Sequence, residues 1–210
     1  MNKKDHTQAL TLGFLTPFYD SIVNFLGFGN YFYRKIASQI DPQSRGSILD
    51  VGTGTANLAL TIKRRCPKAK VIAVDPDENI LKIARRKIQK EKIDINLVKA
   101  YAQKLPFNSG TFDWIVSSFV IHHIPKPFKK QAFLEMKRVL KPEGKILIID
   151  FGQPKNILAN LVTWLASFVE DVGPNRKGLI PMLLSESGFK DIKELDSKFG
   201  LISFYKARKA

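Results

Sequence analysis

The sequence has few residues that form disulfides or metal centres: one cysteine, Cys66, and three histidines among 210 residues. A single cysteine excludes an internal disulfide and suits a reducing compartment, so we expect a cytoplasmic protein in which Cys66 is an inert, packed thiol. These residues are too few for a typical zinc site, and the carboxylates show no metal-ligand spacing. We therefore expect no metal.

Long apolar runs and acidic residues are also scarce. No stretch reaches the ~18–20 apolar residues that a membrane-spanning helix needs, and the polar segment Met1–Leu10 predicts no secretory signal. The 34 basic residues outnumber the 19 acidic ones and give a net charge of +15. This charge favours an anionic partner, such as a phospholipid surface, RNA or a phosphorylated substrate, although a merely solvated basic surface explains it equally well.

Apolar runs alternate with helical patterns along most of the chain, which predicts an α/β domain. We expect strands at about 47–51, 71–75, 94–99, 112–118, 144–150, 190–195 and 200–207, and helices at about 56–66, 78–90, 127–140, 155–170 and 177–187. Alternating strands and helices imply a parallel, doubly wound sheet. The turn signal Pro142–Gly144 is expected to precede the fifth strand, and Gly188 to end the last helix.

The first 44 residues differ from the rest in composition. Eight of the 22 aromatic residues fall between Phe14 and Tyr33, where Asp20 is the one charged residue. Proline and glycine interrupt this segment, so we expect two or three short helices, the last around Tyr31–Ile40. We therefore divide the chain into an N-terminal aromatic helical segment, residues 1–44, and a sheet domain, residues 45–210.

The stretch from Ser47 to Asp75 is the most informative part of the chain. The apolar run Ile48–Val51 opens into the sequence GTGTAN, a helical pattern follows, and a second apolar run ends on Asp75. Such a βαβ unit binds nucleotides in the loops at the carboxyl ends of its strands. Gly52 and Gly54 allow a tight turn and the close approach of a ligand. Asp75 lies 23 positions after Gly52, where a carboxylate accepts hydrogen bonds from ribose hydroxyls.

The same turn lacks the features that bind a pyrophosphate. Asn57 stands where a dinucleotide fingerprint has its third glycine, Ala56 replaces another usual glycine, and no lysine is placed to form a P-loop. A ligand with a ribose and no phosphate fits better, and S-adenosylmethionine is such a ligand. An NAD(P)-dependent dehydrogenase is an alternative that Asn57 weakens.

Four segments, in this order and spacing, resemble the class I S-adenosylmethionine-dependent methyltransferases: ILDVGTGTANLAL (48–60), VIAVDPDENILKIARRK (71–87), AYAQKLPFNSGTFDWIVSSFVIHHI (100–124) and RVLKPEGKILIIDF (138–151). The resemblance runs from about residue 45 to the end. It is greatest to the branch of ubiquinone/menaquinone C-methyltransferases and other small-molecule or lipid methyltransferases, which NRKGLIPMLLSESGFKDIKEL (175–195) and SFYKARK (203–209) also resemble.

This resemblance implies the fold and the reaction. The fold would be a Rossmann-like, mostly parallel seven-stranded sheet that ends in an antiparallel last strand, with the N-terminal segment folded over the site as a lid. The reaction would convert S-adenosylmethionine to S-adenosylhomocysteine and methylate a small-molecule or lipid-like acceptor. The identity of the acceptor atom and the oligomeric state stay open.

The resemblance also assigns a set of cofactor residues. Asp75 would take the ribose hydroxyls, Thr55 and Gly52 would face the methionine end, and Asp50 would orient the turn or the cofactor ammonium. A helix N-cap is the alternative role for Asp75, and bonding of the turn's own amides is the alternative for Asp50. The full set is Asp50, Gly52, Thr53, Gly54, Thr55, Asp75, Pro76, Asp77, Tyr101, Ala102, Gln103, Ser117 and Ser118.

One motif departs from the pattern of similar enzymes. Those enzymes have Asp-Ala-Glu before Leu-Pro-Phe, whereas this chain has Tyr101-Ala102-Gln103. Tyr101 cannot supply a carboxylate to the adenine, but its ring can stack or its hydroxyl can accept a hydrogen bond. The backbone amide of Ala102 can still bind an adenine nitrogen, because that bond needs no side chain.

Methyl transfer needs little catalytic machinery, because the sulfonium is already activated. Positioning alone can lower the barrier by ~7–11 kcal/mol, while an oxygen or acidic-carbon nucleophile also benefits from a base. His122 and His123 follow the fourth strand and are the best candidates for that base, although a packed loop pair is the simpler explanation of both. Tyr19, in the lid, is expected to face the substrate.

The acceptor class is less constrained than the cofactor. The segment Ile157–Val169 around Trp164 is apolar almost all round its helix, and ordinary burial explains most such helices. Together with the aromatic lid, it also suggests an amphiphilic acceptor and a protein peripheral to an anionic membrane surface. An RNA methyltransferase is favoured by the charge but lacks an RNA-binding module. A non-catalytic S-adenosylmethionine-binding protein is the remaining alternative, suggested by Tyr101 and Ala56.

Overall fold

The computed structural model describes residues 29–41, 45–167 and 173–210. The expectations for Tyr19 and for the first part of the aromatic segment lie outside the described residues, as does the predicted end of the helix at 155–170. The described chain falls into two compact units that adjoin in sequence at Tyr101 and Ala102. Within the described ranges, no helix is long and apolar enough to cross a membrane.

In its described residues, 29–41 and 45–101, the first unit has a three-stranded parallel sheet and three helices. Its elements are α1 (Asn30–Ala37), β1 (Ser47–Val51), α2 (Asn57–Arg65), β2 (Lys70–Asp75), α3 (Glu78–Glu91) and β3 (Asn96–Lys99). The strand order is β3-β2-β1, with Val51 paired to Val74 and Asp75 paired to Lys99. Nearly every residue of β1 and β2 is buried, as parallel strands covered on both faces require.

The second unit continues the alternation and ends in a hairpin. Its elements are β4 (Phe112–Ser118), a 3-10 turn (Ile121–His123), α4 (Lys126–Val139), β5 (Leu140–Phe151), α5 (Ile157–Ala166), α6 (Gly173–Arg176), α7 (Leu179–Glu186), β6 (Phe189–Lys198) and β7 (Ile202–Lys209). The strand order is β4-β5-β7-β6; β4 and β5 are parallel, and β7 is antiparallel to both β5 and β6. The predicted Rossmann-like, mostly parallel seven-stranded fold and its closing hairpin are therefore confirmed.

Local signals explain where most elements begin and end. Asp77 caps α3 by accepting a hydrogen bond from the Asn79 amide (2.8 Å), and the buried face of α3 repeats at helical spacing through Leu81, Ala84 and Ile88. Gly188 has a φ of +78° just after α7 and ends that helix as predicted. Cys66 is buried, as expected; its thiol donates to the Asp41 carbonyl (3.3 Å), and burial raises its pKa.

The start of the fifth strand was predicted wrongly. β5 begins at Leu140, so Pro142–Gly144 lies inside the strand and not in a turn before it. Phe112 pairs with Leu140 and Trp114 with Lys145, so β5 carries three more residues than β4 over this interval. Glu143 takes a φ of +58° at this irregularity. The turn residues therefore form a bulge, which local sequence cannot distinguish from a loop.

Candidate functional site

The glycine turn after β1 is held against the end of β2. The amides of Gly52 and Thr53 both donate to the Val74 carbonyl, at 2.8 and 2.9 Å. Gly52 and Gly54 have φ of +72° and +56°, the left-handed region that favours glycine. Among the described residues, no atom lies within 4 Å of where a Cβ on Gly54 would be, so the turn faces open space there. Ala56 also adopts a left-handed φ, +67°, without being glycine.

Asp75 connects the two strand-end loops of this unit. It is the last residue of β2, its exposed fraction is 7%, and its carboxylate accepts hydrogen bonds from the amides of Gly54 and Asp77, both at 2.9 Å. The alternative that Asp75 caps the next helix is wrong, because Asp77 fills that role. The carboxylate therefore lies at the glycine turn, where the sequence predicted a ribose-binding group.

Asp50 lies beneath the same turn and is fully buried. Its carboxyl accepts a hydrogen bond from the Thr53 hydroxyl (2.7 Å) and another from the Ala59 amide. Burial raises the pKa of Asp50 to about 7; the nearby charge of Asp75 adds to the rise, and the two hydrogen bonds oppose it. Asp50 thus bonds the turn itself, and it titrates near neutral pH.

Lys87 is a part of the turn that the sequence did not identify. Its ammonium reaches from α3 to the Thr55 hydroxyl (3.1 Å) and the Asn57 side-chain oxygen (2.9 Å). In the sequence, Lys87 is one of 34 basic residues, which an anion-binding surface and a solvated surface explain equally well. The available signal was its spacing: Lys87 follows Ala84 by three positions and adjoins Ile88, so it borders the buried face of α3.

Most of the remaining predicted cofactor residues lie close in sequence to the junction of the two units at Tyr101 and Ala102. Pro76 is half-buried after β2, and the Ala100 amide donates to the Asp75 carbonyl (3.2 Å) just before half-buried Tyr101. In the second unit, Ala102 is buried and Gln103 is half-buried in a turn. Ser117 and Ser118 end β4, and within the described part of the chain the buried Ser118 hydroxyl has no hydrogen-bond partner.

A third buried carboxylate, Asp150, organises the histidine turn. It accepts hydrogen bonds from the Ile121 amide (2.8 Å) and the Phe151 amide (2.7 Å), and its Oδ1 lies 2.7 Å from His122 Nδ1. Burial alone would raise the pKa of Asp150, but the charge and hydrogen bond of His122 and the Phe151 amide outweigh it and lower the pKa. Asp150 is therefore a fixed negative charge beside the ring.

The two histidines differ in burial. His122 is 4% exposed and packs edge-on against Phe151, whereas His123 is half-buried with its ring centroid 3.9 Å from that of His122. Asn175 of α6 also reaches this cluster: it is buried, and its amide lies 3.4 Å from Asp150 Oδ1. The sequence analysis did not single out Asn175, although it opens the NRKGLIP segment that carries part of the resemblance.

Comparison with known proteins identifies the family. The family described as "Methyltransferase domain" matches residues 48–144. A ubiquinone/menaquinone biosynthesis C-methyltransferase of Syntrophotalea carbinolica is 28% identical, over 91% of this chain and 89% of that protein. One from Idiomarina loihiensis is 30% identical, over 80% of this chain and 68% of that protein. The chain belongs to the S-adenosylmethionine-dependent methyltransferases of the ubiquinone/menaquinone type.

The fold of this methyltransferase agrees with that assignment. A crystal structure of an S-adenosylmethionine-dependent methyltransferase from Aquifex aeolicus superposes with a TM-score of 0.67 at 22% identity, covering 85% of this chain and 89% of that one. The cofactor of the methyltransferase is S-adenosylmethionine. Among the described residues, no group of three or more His, Cys, Asp or Glu side chains is arranged to hold a metal ion.

The first unit of the methyltransferase fits a phosphate-free nucleoside. An ionised carboxylate can accept about four hydrogen bonds. The Asp75 carboxylate accepts two from backbone amides, and it lies at a turn where no described atom is near the Cα of Gly54 on its Cβ side. The sequences that bind a pyrophosphate instead carry a third glycine where this chain has Asn57, or a lysine within the glycine-rich sequence itself. The Asp75 carboxylate can therefore accept hydrogen bonds from the ribose hydroxyls of S-adenosylmethionine.

The raised pKa of Asp50 predicts how stability depends on pH. An unfolded Asp titrates at about 3.9, and Asp50 at about 7 in the folded protein. The folded protein favours the protonated form of Asp50. The contribution of Asp50 to the free energy of unfolding is therefore fully present below pH ~4 and is lost as the pH rises through ~7. Relative to wild type, Asp50→Asn should gain stability between pH 4.5 and 8, by at most about 4 kcal/mol at ~1.4 kcal/mol per pKa unit. Urea unfolding at several pH values measures this.

The control for this measurement is Asp94→Asn, which removes an exposed carboxylate of the same unit. Its free energy of unfolding should run parallel to that of wild type over the same pH range. If Asp50→Asn also runs parallel to wild type, Asp50 does not titrate near neutrality.

Proposed function

We propose that this methyltransferase methylates a ring carbon of a lipid-like quinone in its reduced form. The observation that carries the proposal is the match over nine-tenths of the chain to a protein named as a ubiquinone/menaquinone biosynthesis C-methyltransferase. A relative from Thermus thermophilus, 33% identical over 67% of this chain, is named demethylmenaquinone methyltransferase. The first of these names specifies C-methylation, in which the sulfur–methyl bond of the cofactor breaks, a carbon–carbon bond forms and the ring carbon loses a proton.

The first unit would hold the cofactor, which when bound supplies an activated methyl group on its sulfonium sulfur. Asp75 would accept hydrogen bonds from the ribose hydroxyls, and the turn Gly52–Thr55 would face the methionine end. Lys87 would keep that turn in place through Thr55 and Asn57. Pro76, Asp77, Tyr101, Ala102, Gln103, Ser117 and Ser118 stay predictions as further cofactor contacts.

His122 would accept the proton that the ring carbon or a ring hydroxyl loses. Its Nδ1 lies 2.7 Å from a carboxylate that stays ionised, so the proton of the neutral ring belongs on Nδ1 and the basic nitrogen is Nε2. The same carboxylate would stabilise the imidazolium that forms. His123 stays a second candidate, and Tyr19 stays a prediction outside the described residues.

An exposed apolar helix supports a membrane-associated acceptor. Within α5, Ile157 is 90% exposed, Leu158 is 70% exposed, and Leu161, Val162, Trp164 and Leu165 are also exposed. The ordinary burial expected for this helix is therefore wrong. Phe199, 59% exposed, adjoins its start, because the Lys155 amide donates to the Gly200 carbonyl (2.8 Å). We propose that this surface docks the basic protein on an anionic membrane, in which a lipid-like acceptor dissolves.

Label transfer tests the acceptor class. With methyl-labelled S-adenosylmethionine, the purified protein should label a demethylated prenyl quinol within a lipid extract and leave total RNA unlabelled. Asp75→Asn should raise the cofactor concentration for half-maximal rate at least tenfold, because a charge-assisted hydrogen bond contributes about 1.5–3 kcal/mol. Asp94→Asn should leave that concentration unchanged. Labelling of RNA alone would refute the quinone proposal.

The proposed base predicts a pH-dependent defect. His122→Asn should lower kcat by about 10²–10³, since general bases contribute on that order, and should abolish the loss of rate at low pH. The affinity for S-adenosylhomocysteine should stay within twofold of wild type. His123→Asn is the control, with a smaller effect on kcat. If the His122→Asn enzyme keeps the wild-type pH profile, a group other than His122 accepts the proton.

The docking surface predicts vesicle binding. Leu158→Glu should weaken binding to vesicles that contain phosphatidylglycerol at least tenfold, because burying a leucine side chain contributes about 1.5–3 kcal/mol. The tryptophan emission of wild type should shift to the blue on vesicle binding, because Trp164 is exposed in the free protein whereas Trp114 is already buried. Leu134→Glu, at an exposed position of α4, is the matched control, and this variant should bind vesicles as wild type does. Equal binding by both variants would exclude α5 as the docking element.

A further inference from the structure

A groove with a basic lining lies within the first unit, between α1, α2 and α3. Its volume is about 930 Å³, which is the size of a small-molecule site. The charged residues that line it are Arg34 of α1, Arg64 and Arg65 of α2, and Lys87, Lys90 and Glu91 of α3. Five cationic side chains and one carboxylate give the lining a net charge of +4.

Among the described residues, Glu91 is the one carboxylate that lines the groove, and it already contacts the Arg64 guanidinium. Arg65 Nε donates to a neutral group, the Ile40 carbonyl (3.3 Å). Several cations thus surround one concave space with little compensating negative charge in its lining. Their mutual repulsion falls when an anion enters, since opposite charges attract.

The lining also has the geometry that recognises phosphate. Three of its cations are arginines, whose planar guanidinium groups bind phosphate oxygens in pairs. Lys87 and Lys90 lie one helical turn apart on α3, and both residues line the groove. Asn30, Asn57 and Thr61 add uncharged hydrogen-bonding groups to the lining. A single carboxylate ligand would engage only part of this set.

We infer that this groove is a binding site for a phosphate-bearing anion, either a soluble phosphorylated molecule or a phospholipid headgroup. Methyl transfer does not require such a site, and the inference does not depend on the quinone proposal. The groove differs in kind from the glycine turn, which lacks the features of a phosphate site.

The test uses the full chain, with inorganic pyrophosphate as the soluble probe and phosphatidylcholine vesicles with or without phosphatidylglycerol as the lipid probe. The groove variant is Arg34→Ala with Lys90→Ala, which leaves the Arg64–Glu91 pair and the Lys87 bonds intact. Its matched control is Arg45→Ala with Lys82→Ala, which removes the same charge from exposed positions outside the groove. Urea unfolding verifies that both variants are folded.

The affinity of wild type for pyrophosphate should weaken as salt is added. This affinity should be at least tenfold lower in the groove variant and within twofold of wild type in the control. Saturating S-adenosylhomocysteine should leave it unchanged. If only phosphatidylglycerol vesicles bind in a groove-dependent way, the ligand is a headgroup and the inference stands. The inference fails if neither probe depends on Arg34 and Lys90, if the control loses as much, or if S-adenosylhomocysteine displaces pyrophosphate.

Discussion

The first unit depends on one buried carboxylate that accepts two backbone hydrogen bonds. Asp75 ends β2 and holds the amides of Gly54 and Asp77, so the glycine turn and the start of α3 are fixed to the same group. Burying an ionised carboxylate is costly unless hydrogen bonds compensate, and these amides compensate it. The left-handed backbone at Gly52 and Gly54 is what carries the turn back over the end of β2. The site and the fold therefore share one interaction.

Buried carboxylates in the two units respond oppositely to similar burial. Asp50 and Asp150 are both fully buried, yet the pKa of Asp50 is raised to about 7 and that of Asp150 is lowered. Burial is the largest influence on both carboxyls and favours a raised pKa. At Asp150 the charge and hydrogen bond of His122 outweigh burial, whereas at Asp50 the negative charge of Asp75 adds to it. One carboxyl can thus change its charge near neutral pH, while the other keeps a fixed charge that orients an imidazole.

The sequence predicted those parts that local periodicity determines. The bounds of β1 and β4 agree with expectation, and the cap at Asp77 could be foreseen because a side-chain cap is a local interaction. Features that depend on distant partners were missed. The reach of Lys87 to Thr55 spans 32 positions, and the contact of Asn175 with Asp150 requires α6, which has only four residues. The apolar pattern of α5 was recognised, but a pattern does not tell whether other residues cover it.

The last strand of the chain is an inner strand of the second unit. β7 lies between β5 and β6, so residues Ile202–Lys209 supply the backbone hydrogen bonds that connect the two strands before them. A chain emerging from the ribosome cannot form either pairing until residues 202–209 have been synthesised. Until then, the edges of β5 and β6 are unpaired templates for other chains, which is a hazard for aggregation. Loss of β7 would therefore separate β5 from β6 rather than shorten an edge of the sheet.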